Sequence, residues 1–222
     1  TAVALQTQVQ GPLLAGQSLL GTVPFSHGYG AAVEVHAVLT AGATTIVLPH
    51  STPRSLATAI RRHQPEYLIG VPPTYAGLVR DRVFARTRHR TLMGAFCGGD
   101  RLARSVRDRF EAIVRRRGGA VAIREGYGLS ETVTACATMP EGESRPGSVG
   151  IPYPDTMIAI ARPVQSGAIA SDVAPQWLAA DELGEILVSG PTLMEGYWRD
   201  DAATDVAFHL DDDGRRWLRT GD

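Results

Sequence analysis

Arg124-Glu125-Gly126-Tyr127-Gly128-Leu129-Ser130-Glu131-Thr132 is the stretch from which the fold is read. It follows Val121-Ala122-Ile123, an apolar run with the length and branching of a short buried strand. Two glycines one residue apart predict a turn that a β-branched side chain could not follow. An aromatic ring lies between them, and a hydroxyl and a carboxylate come directly after. Glycine lets a ligand approach the backbone. Tyr127 is placed to stack on a base, an interaction worth about 1–3 kcal/mol. Ser130 can donate to a phosphate oxygen, and Glu131 can hold a hard divalent cation such as magnesium. A lone glycine pair is also an ordinary strand-to-helix turn, so the flanking sequence has to decide.

Upstream, short β-branched or apolar strands alternate with helices. Residues 44–48 form one expected strand. Thr52 then caps a helix with Pro53 in its first turn. Tyr67-Leu68-Ile69-Gly70-Val71 is the next expected strand, ended by Pro72-Pro73, with a helix from Thr74 carrying Tyr75, Leu78 and Val79. Leu92-Met93-Gly94-Ala95-Phe96-Cys97 ends on Gly98-Gly99-Asp100. The helix that follows carries Leu102, Val106, Phe110, Ile113 and Val114 on one stripe. Two strands joined by a helical crossover would thus end in glycine-rich loops on one edge of a parallel sheet, where open α/β sheets bind ligands. Nearer the start, Pro24-Phe25-Ser26-His27-Gly28-Tyr29-Gly30 is a third glycine-rich loop, before an apolar helix over 31–39. Taken alone, His27 reads as a core or capping histidine.

After Pro140 the character changes. Gly147, Gly150, Pro152 and Pro154 punctuate a connector, and residues 157–161 and 185–188 read as strands. An irregular loop is expected over 165–182. Asp211-Asp212-Asp213-Gly214 is a hairpin turn with Trp217-Leu218-Arg219 as the returning strand. The fold class is therefore α/β: a mixed, largely parallel sheet with flanking helices, then a small β-barrel-like lobe. The expected division is 1–145 for the α/β lobe and 146–222 for the β lobe.

Composition narrows the function. The 222 residues carry a formal net charge of −1, which gives no general attraction to nucleic acid. The arginine-rich stretch over 80–90 lacks interleaved aromatics beyond Phe84 and reads as a solvated helix end. No apolar run reaches the length of a membrane span. Cys97 and Cys136 have neither metal spacing nor a disulfide framework, so a cytoplasmic protein is expected. All 22 basic residues are arginine. Any step that needs an ammonium group must draw it from outside this sequence. Thr1, without a methionine, and the closing Thr220-Gly221-Asp222 lead us to expect part of a longer polypeptide.

At this point the residues resemble a known family. Gly126-Tyr127-Gly128-Leu129-Ser130-Glu131 is similar to the adenine-and-phosphate motif of adenylate-forming enzymes: acyl-CoA and aryl-CoA ligases, luciferases and peptide-synthetase adenylation domains. Pro24-Phe25-Ser26-His27 with Gly30 resembles the family's P-x-x-H-x-x-G motif, and Gly98-Gly99-Asp100-Arg101-Leu102 its adenine-edge loop. Gly184-Glu185-Ile186 with Gly190-Pro191, Met194 and Gly196-Tyr197-Trp198 resembles the β-lobe signature. Trp217-Leu218-Arg219-Thr220-Gly221-Asp222 resembles the ribose motif. The five motifs occur in the family's order and cover almost the whole chain.

The resemblance implies roles. Gly98, Gly99, Asp100, Glu125, Gly126, Tyr127, Gly128, Ser130 and Asp222 would bind the nucleotide, Asp222 through the ribose hydroxyls. Glu131 would hold Mg2+, and Ser130, Glu131 and His27 would be the catalytic set. His27 would stand between the acyl pocket and the thiol tunnel. His27, Gly28, Tyr29, Gly30, Val71, Thr74, Tyr75 and Cys97 are the expected acyl pocket, with Phe96 as a further wall. Small residues at Gly28, Gly30, Ala31 and Ala32 would leave room there, although helix packing explains them equally well. ATP, Mg2+ and coenzyme A, or a phosphopantetheine carrier, would be the cofactors. The partners would be a carboxylic acid and the rest of the polypeptide. With no acidic residue at the start of the wall to hold an ammonium, a fatty or aryl acid is favoured over an amino acid. The family's phosphate loop with its lysine and its C-terminal lysine domain have no counterpart in these residues. That leaves open an inactive nucleotide-binding module of the same fold.

Overall fold

The structure, a computed structural model, describes residues 2–11, 13–143, 145, 147–163 and 174–222. Two sheets organise it. Among the described residues the larger has seven strands, in the spatial order 44–46, 18–20, 67–70, 94–97, 123–128, 135–138 and 151–152, and the smaller is an open antiparallel sheet of four, in the order 208–210, 216–219, 185–189 and 157–161.

In the large sheet, β1 (Ser18–Leu20), β2 (Thr44–Ile46), β3 (Tyr67–Gly70), β4 (Gly94–Cys97) and β5 (Ile123–Gly128) are parallel. Their carboxyl ends therefore share one edge. β6 (Ala135–Thr138) and β7 (Ile151–Pro152) extend it antiparallel. One face carries Leu20, Leu68, Ala95, Cys97 and Ile123 into a core. The helices α3 (Pro53–His63), α4 (Pro72–Leu78), α5 (Arg82–Arg86) and α6 (Arg104–Arg116) close that core with Leu56, Tyr75, Phe84 and Phe110. The period-2 alternation of the strands turns Leu19, Tyr67, Ile69 and Phe96 to the other face. There lie α1 (Ala2–Gln10), a π-helix (Gly30–Ala37) and its short continuation α2 (Val38–Thr40).

The small sheet consists of β8 (Met157–Ala161), β9 (Glu185–Ser189), β10 (Phe208–Leu210) and β11 (Arg216–Arg219), with α7 (Asp201–Ala207) before β10. The Asp211–Gly214 turn closes the expected hairpin: Asp211 Oδ1 accepts the Arg215 and Asp213 amides at 2.7 and 3.1 Å. Within the irregular loop expected over 165–182, residues 165–173 lie outside the described residues. Beyond them, Trp177 forms a bridge with Ala161.

Several expectations shift. The Thr52 cap is present as a capping box with Ser55. Helix α4, however, starts on Pro72-Pro73 rather than after them, because proline suits a helix's first turn. The helix expected over 31–39 has π geometry for most of its length. β6 and α7 were not foreseen.

Candidate active site

The Gly126-Tyr127-Gly128 segment is strand, not turn: it is the end of β5 and pairs with β6 across a bulge between Tyr127 and Gly128. Neither glycine has positive φ. A Cβ at Gly128 would stand 2.0 Å from the Thr134 carbonyl oxygen, so glycine is needed for the close approach of β6. The chain turns later, through a 3-10 turn at Ser130–Thr132 and Val133, whose φ is +66°. Thr132 fixes the turn: its Oγ1 accepts the Leu129 amide at 3.0 Å and donates to the Thr134 carbonyl at 2.7 Å. At the neighbouring strand end, Gly99 has φ +82°, so that loop does require glycine.

The small sheet reaches into this edge twice. Tyr127 Oη donates to Asp222 Oδ2 at 2.6 Å. Burial, with the hydrogen bond to Asp222, pushes the Tyr127 phenol well above its ordinary value. Asp222 is held by its own backbone, its carbonyl accepting the Ile186 amide at 3.0 Å. Glu131 is gripped at both ends. Its carbonyl accepts the Met194 amide at 2.7 Å, and its Oε1 accepts the Tyr197 hydroxyl at 2.8 Å. Tyr197 was not singled out for this from the sequence.

Gly98, Gly99, Tyr127, Gly128, Leu129 and Ser130 line one cavity of about 280 Å³ with His27, Tyr29 and Cys97. Asp222 meets its rim through Tyr127 and lines the neighbouring groove. The cavity runs on under α1 along an apolar wall of Leu13, Leu19, Val33, Ile69 and Phe96. His27 Nδ1 accepts the Tyr29 amide at 3.1 Å, which leaves the neutral ring's proton on Nε2. Burial pushes the Cys97 thiol up to about 12, so it serves as wall rather than nucleophile.

Other expected residues stand elsewhere. Tyr75 is in the core on the opposite face, its Oη donating to the Phe96 carbonyl at 2.6 Å and its ring edge-on to Phe110. Helix α4 covers the helical face of the sheet, which is why the acyl-wall assignment fails for it. Thr74 is occupied with Thr22 at 3.1 Å, and Val71 lies beneath Gly99. Gly28 and Gly30 do not open space. Added Cβ atoms would lie 2.0 Å from the Val133 carbonyl oxygen and 2.3 Å from that of Pro24. Ala31 is exposed and Ala32 buried, and neither lines the cavity. The Glu125 carboxylate turns down to Arg107 and accepts the Leu102 amide at 3.1 Å. Asp100 accepts the Arg101 amide at 2.6 Å on the surface.

Sequence reasoning missed Arg124 as a cavity residue. Its Nε donates to the Met139 carbonyl at 2.6 Å and its guanidinium lies 4.9 Å from the Phe96 ring. The alternation of β5 was the available signal, since Arg124 and Gly126 share a face. It also missed Glu34, which is 1 % exposed within the π-helix. Among the described residues no cluster of three or more His, Cys, Asp and Glu side chains could hold a metal. A single carboxylate suits magnesium that arrives with phosphates and keeps its waters, which is the role Glu131 can fill.

The sequence matches the family model of the AMP-binding enzyme over residues 1–198. The chain belongs to the AMP-binding enzyme family. A long-chain-fatty-acid–CoA ligase of Bacillus subtilis (strain 168) is 32% identical over 207 residues, covering 93% of this chain and 34% of that protein. A luciferin 4-monooxygenase of Nipponoluciola cruciata is 29% identical over 207 residues, again covering 93% of this chain and 34% of the relative. This AMP-binding enzyme chain thus spans about a third of the length of these curated relatives. Among solved structures, a long-chain-fatty-acid-CoA ligase from Archaeoglobus fulgidus superposes with a TM-score of 0.88 at 21% identity, over 100% of this chain and 44% of that one. Apo MatB from Rhodopseudomonas palustris gives 0.81 at 26% identity, over 99% and 40%. No described helix is long and apolar enough to cross a membrane.

Proposed function

We propose that this chain is the substrate-binding part of an ATP-dependent carboxylic-acid ligase. Such a ligase forms an acyl-adenylate with release of pyrophosphate and passes the acyl group to a thiol, coenzyme A being the favoured acceptor. The observation that carries this reading is the single cavity that joins the glycine-rich strand ends to an apolar tunnel, with Asp222 bonded to Tyr127 at its rim. A relative named as a long-chain-fatty-acid–CoA ligase supports the carboxylic-acid reading.

In the proposed reaction the adenine lies between the Gly98-Gly99 turn and the Tyr127 ring. Asp222 accepts from the ribose hydroxyls, in charge-assisted bonds worth about 1.5–3 kcal/mol each. That requires Tyr127 Oη to share or release its carboxylate oxygen. Ser130 donates to the α-phosphate, and the substrate carboxylate attacks α-phosphorus from the tunnel side. Magnesium held by Glu131 would neutralise charge on the phosphates when bound. In the second step His27, at the tunnel mouth, offers its N–H to the acyl oxygen as the thiol attacks. Catalysis of this kind is mainly positioning and charge stabilisation.

The tunnel favours a fatty or aryl acid. Among the described residues its lining holds no aspartate or glutamate, and Arg124 brings positive charge, so an ammonium group finds no partner. Because the sequence has no lysine, the 222-residue segment by itself is expected to give no ATP–pyrophosphate exchange above background. The full-length protein is expected to exchange in the presence of fatty or aryl acids. Exchange by the segment alone would place the charge-neutralising groups within it. A full-length protein that binds ATP but exchanges with no acid in a broad panel would be an inactive nucleotide-binding module.

A further inference from the structure

Glu34 is buried at 1 % exposure, and the proposed chemistry does not use it. Its Oε1 accepts two consecutive amides, those of Thr22 at 3.1 Å and Val23 at 3.0 Å. Gly21 makes the space, since a Cβ there would lie 1.9 Å from Oε2. The Thr45 hydroxyl of β2 donates to the Glu34 carbonyl. The carboxylate thus ties the π-helix to the segment that leaves β1. That segment leads directly into Pro24, whose carbonyl accepts the His27 amide at 2.9 Å and abuts Gly30. The His27 carbonyl in turn accepts the Ala31 amide at 2.9 Å, returning the chain to the π-helix.

The ring of contacts closes on itself: Glu34, Thr22-Val23, Pro24, His27, Ala31 and back along the helix. Tyr29, just ahead of the helix, and Val33 and Ala37 within it face the cavity at intervals of four, and Glu34 lies on the adjacent face. A π-helical turn is uncommon and often marks a functional site. Here it presents a cavity wall and an anchoring carboxylate from the same short element. Apart from the exposed His36 the helix is apolar, so a carboxylate buried in it depends on the amide partners it finds at Thr22 and Val23.

We infer that Glu34 is a positioning residue that sets His27 at the tunnel mouth by clamping the Thr22-Val23 amides. This rests on the ligase reading. It predicts an effect on thioester formation, where the His27 loop faces the incoming thiol, and not on nucleotide binding, which uses the ends of β4 and β5.

The test uses the full-length enzyme and the acid that the wild type adenylates best, with coenzyme A as acceptor. Glu34→Leu is expected to lower thioester formation about tenfold or more, with ATP–pyrophosphate exchange and the KM for ATP within about twofold. Glu34→Gln keeps an acceptor oxygen and is expected to restore the rate to within about threefold of wild type. Adding His27→Ala to Glu34→Leu should cost less than it does in the wild type, because the two residues act through one another, whereas adding it to Glu34→Gln should cost about as much as in the wild type. If Glu34→Leu does not fold, Gly21→Ala, whose Cβ would fall 1.9 Å from Glu34 Oε2 and displace the carboxylate, takes its place in the cycle. Equal loss of both half-reactions, no loss, or strict additivity of Glu34→Leu or its substitute with His27→Ala overturns the assignment. A wild-type enzyme with no acid-dependent exchange overturns the ligase reading itself, and this inference with it.

Discussion

Glu34 shows what a single side chain can hide. In the sequence it is one polar residue in the apolar run Ala31-Ala32-Val33-Glu34-Val35, and such a residue ordinarily faces solvent. Burial drives its carboxyl from 4.5 up to about 7, against the opposing pull of the Val23 and Thr22 amides. Tyr29 is the titratable neighbour that feels its charge. The sign follows from the raised value. Between the unfolded and folded pKa the native state binds the extra proton, so this group's contribution to stability falls as pH rises across that window. For a shift from 4.5 to about 7 the change is on the order of 3 kcal/mol. We therefore expect Glu34→Gln to gain on the wild type as pH goes from 4.5 to 7.5 and to level off above that. Denaturation midpoints of the two full-length proteins, taken side by side across pH, measure this, since the other carboxylates cancel in the difference. A difference that stays flat would mean that Glu34 titrates in the ordinary carboxylate range.

At the scale of elements, the glycine pattern pointed to strand ends that line one cavity, but it misassigned their geometry. The sheet edge was legible because hydrophobic runs, proline caps and the stripe of α6 all depend on local chemistry. Whether Gly126 and Gly128 turn the chain depends on β6, a four-residue strand bounded by Thr134 before it and ending on Thr138, too short and polar to announce itself. The same holds for the acyl wall. Tyr75 and Phe96 are both aromatic residues close to the sheet edge in sequence, but strand alternation sets the face of Phe96 while the packing of α4 carries Tyr75 to the other one. The turn falls instead on Val133, a β-branched residue at φ +66°, whose carbonyl abuts Gly28. Such a conformation costs about 1–3 kcal/mol in a non-glycine residue. Glycine carries an entropic penalty of roughly 0.5–1 kcal/mol, so Val133→Gly should stabilise the protein by about 1 kcal/mol net. Val133→Ala, which keeps the strain, should not. Thermal midpoints decide this, and equal midpoints for the two variants would show that Val133 is unstrained. Gly128→Ala is the opposite case. Its Cβ would meet the backbone of Thr134 rather than a yielding side chain, and a loss of more than about 2 kcal/mol is expected.

For the whole molecule the informative feature is how the two sheets meet. Each contributes half of two hydrogen bonds between side chains far apart in sequence, Tyr127 with Asp222 and Tyr197 with Glu131. The small sheet thus touches both of the groups proposed to hold nucleotide and metal. Tyr197 is itself fixed, its amide donating to Thr204 Oγ1 at 2.8 Å ahead of β10. A carboxylate that serves as a lone magnesium ligand gains from a partner that limits its rotamers, and losing such a partner costs about 10–100-fold in metal affinity at well-built sites. Tyr197 is partly exposed and its bond to Glu131 is the outermost of the two, so the lower end of that range applies. We expect Tyr197→Phe to raise the magnesium concentration for half-maximal pyrophosphate exchange by about tenfold. Metal-free binding of AMP, which needs the Gly99–Tyr127 end of the cavity and Asp222 but no cation, should be unchanged. Tyr127→Ala should do the reverse, weakening AMP and ATP alike while leaving the magnesium midpoint near its wild-type value. A Tyr197→Phe enzyme that needs less magnesium would mean that the hydroxyl competes with the metal for Glu131. One whose AMP affinity falls in step would mean that the bond merely holds the two sheets together.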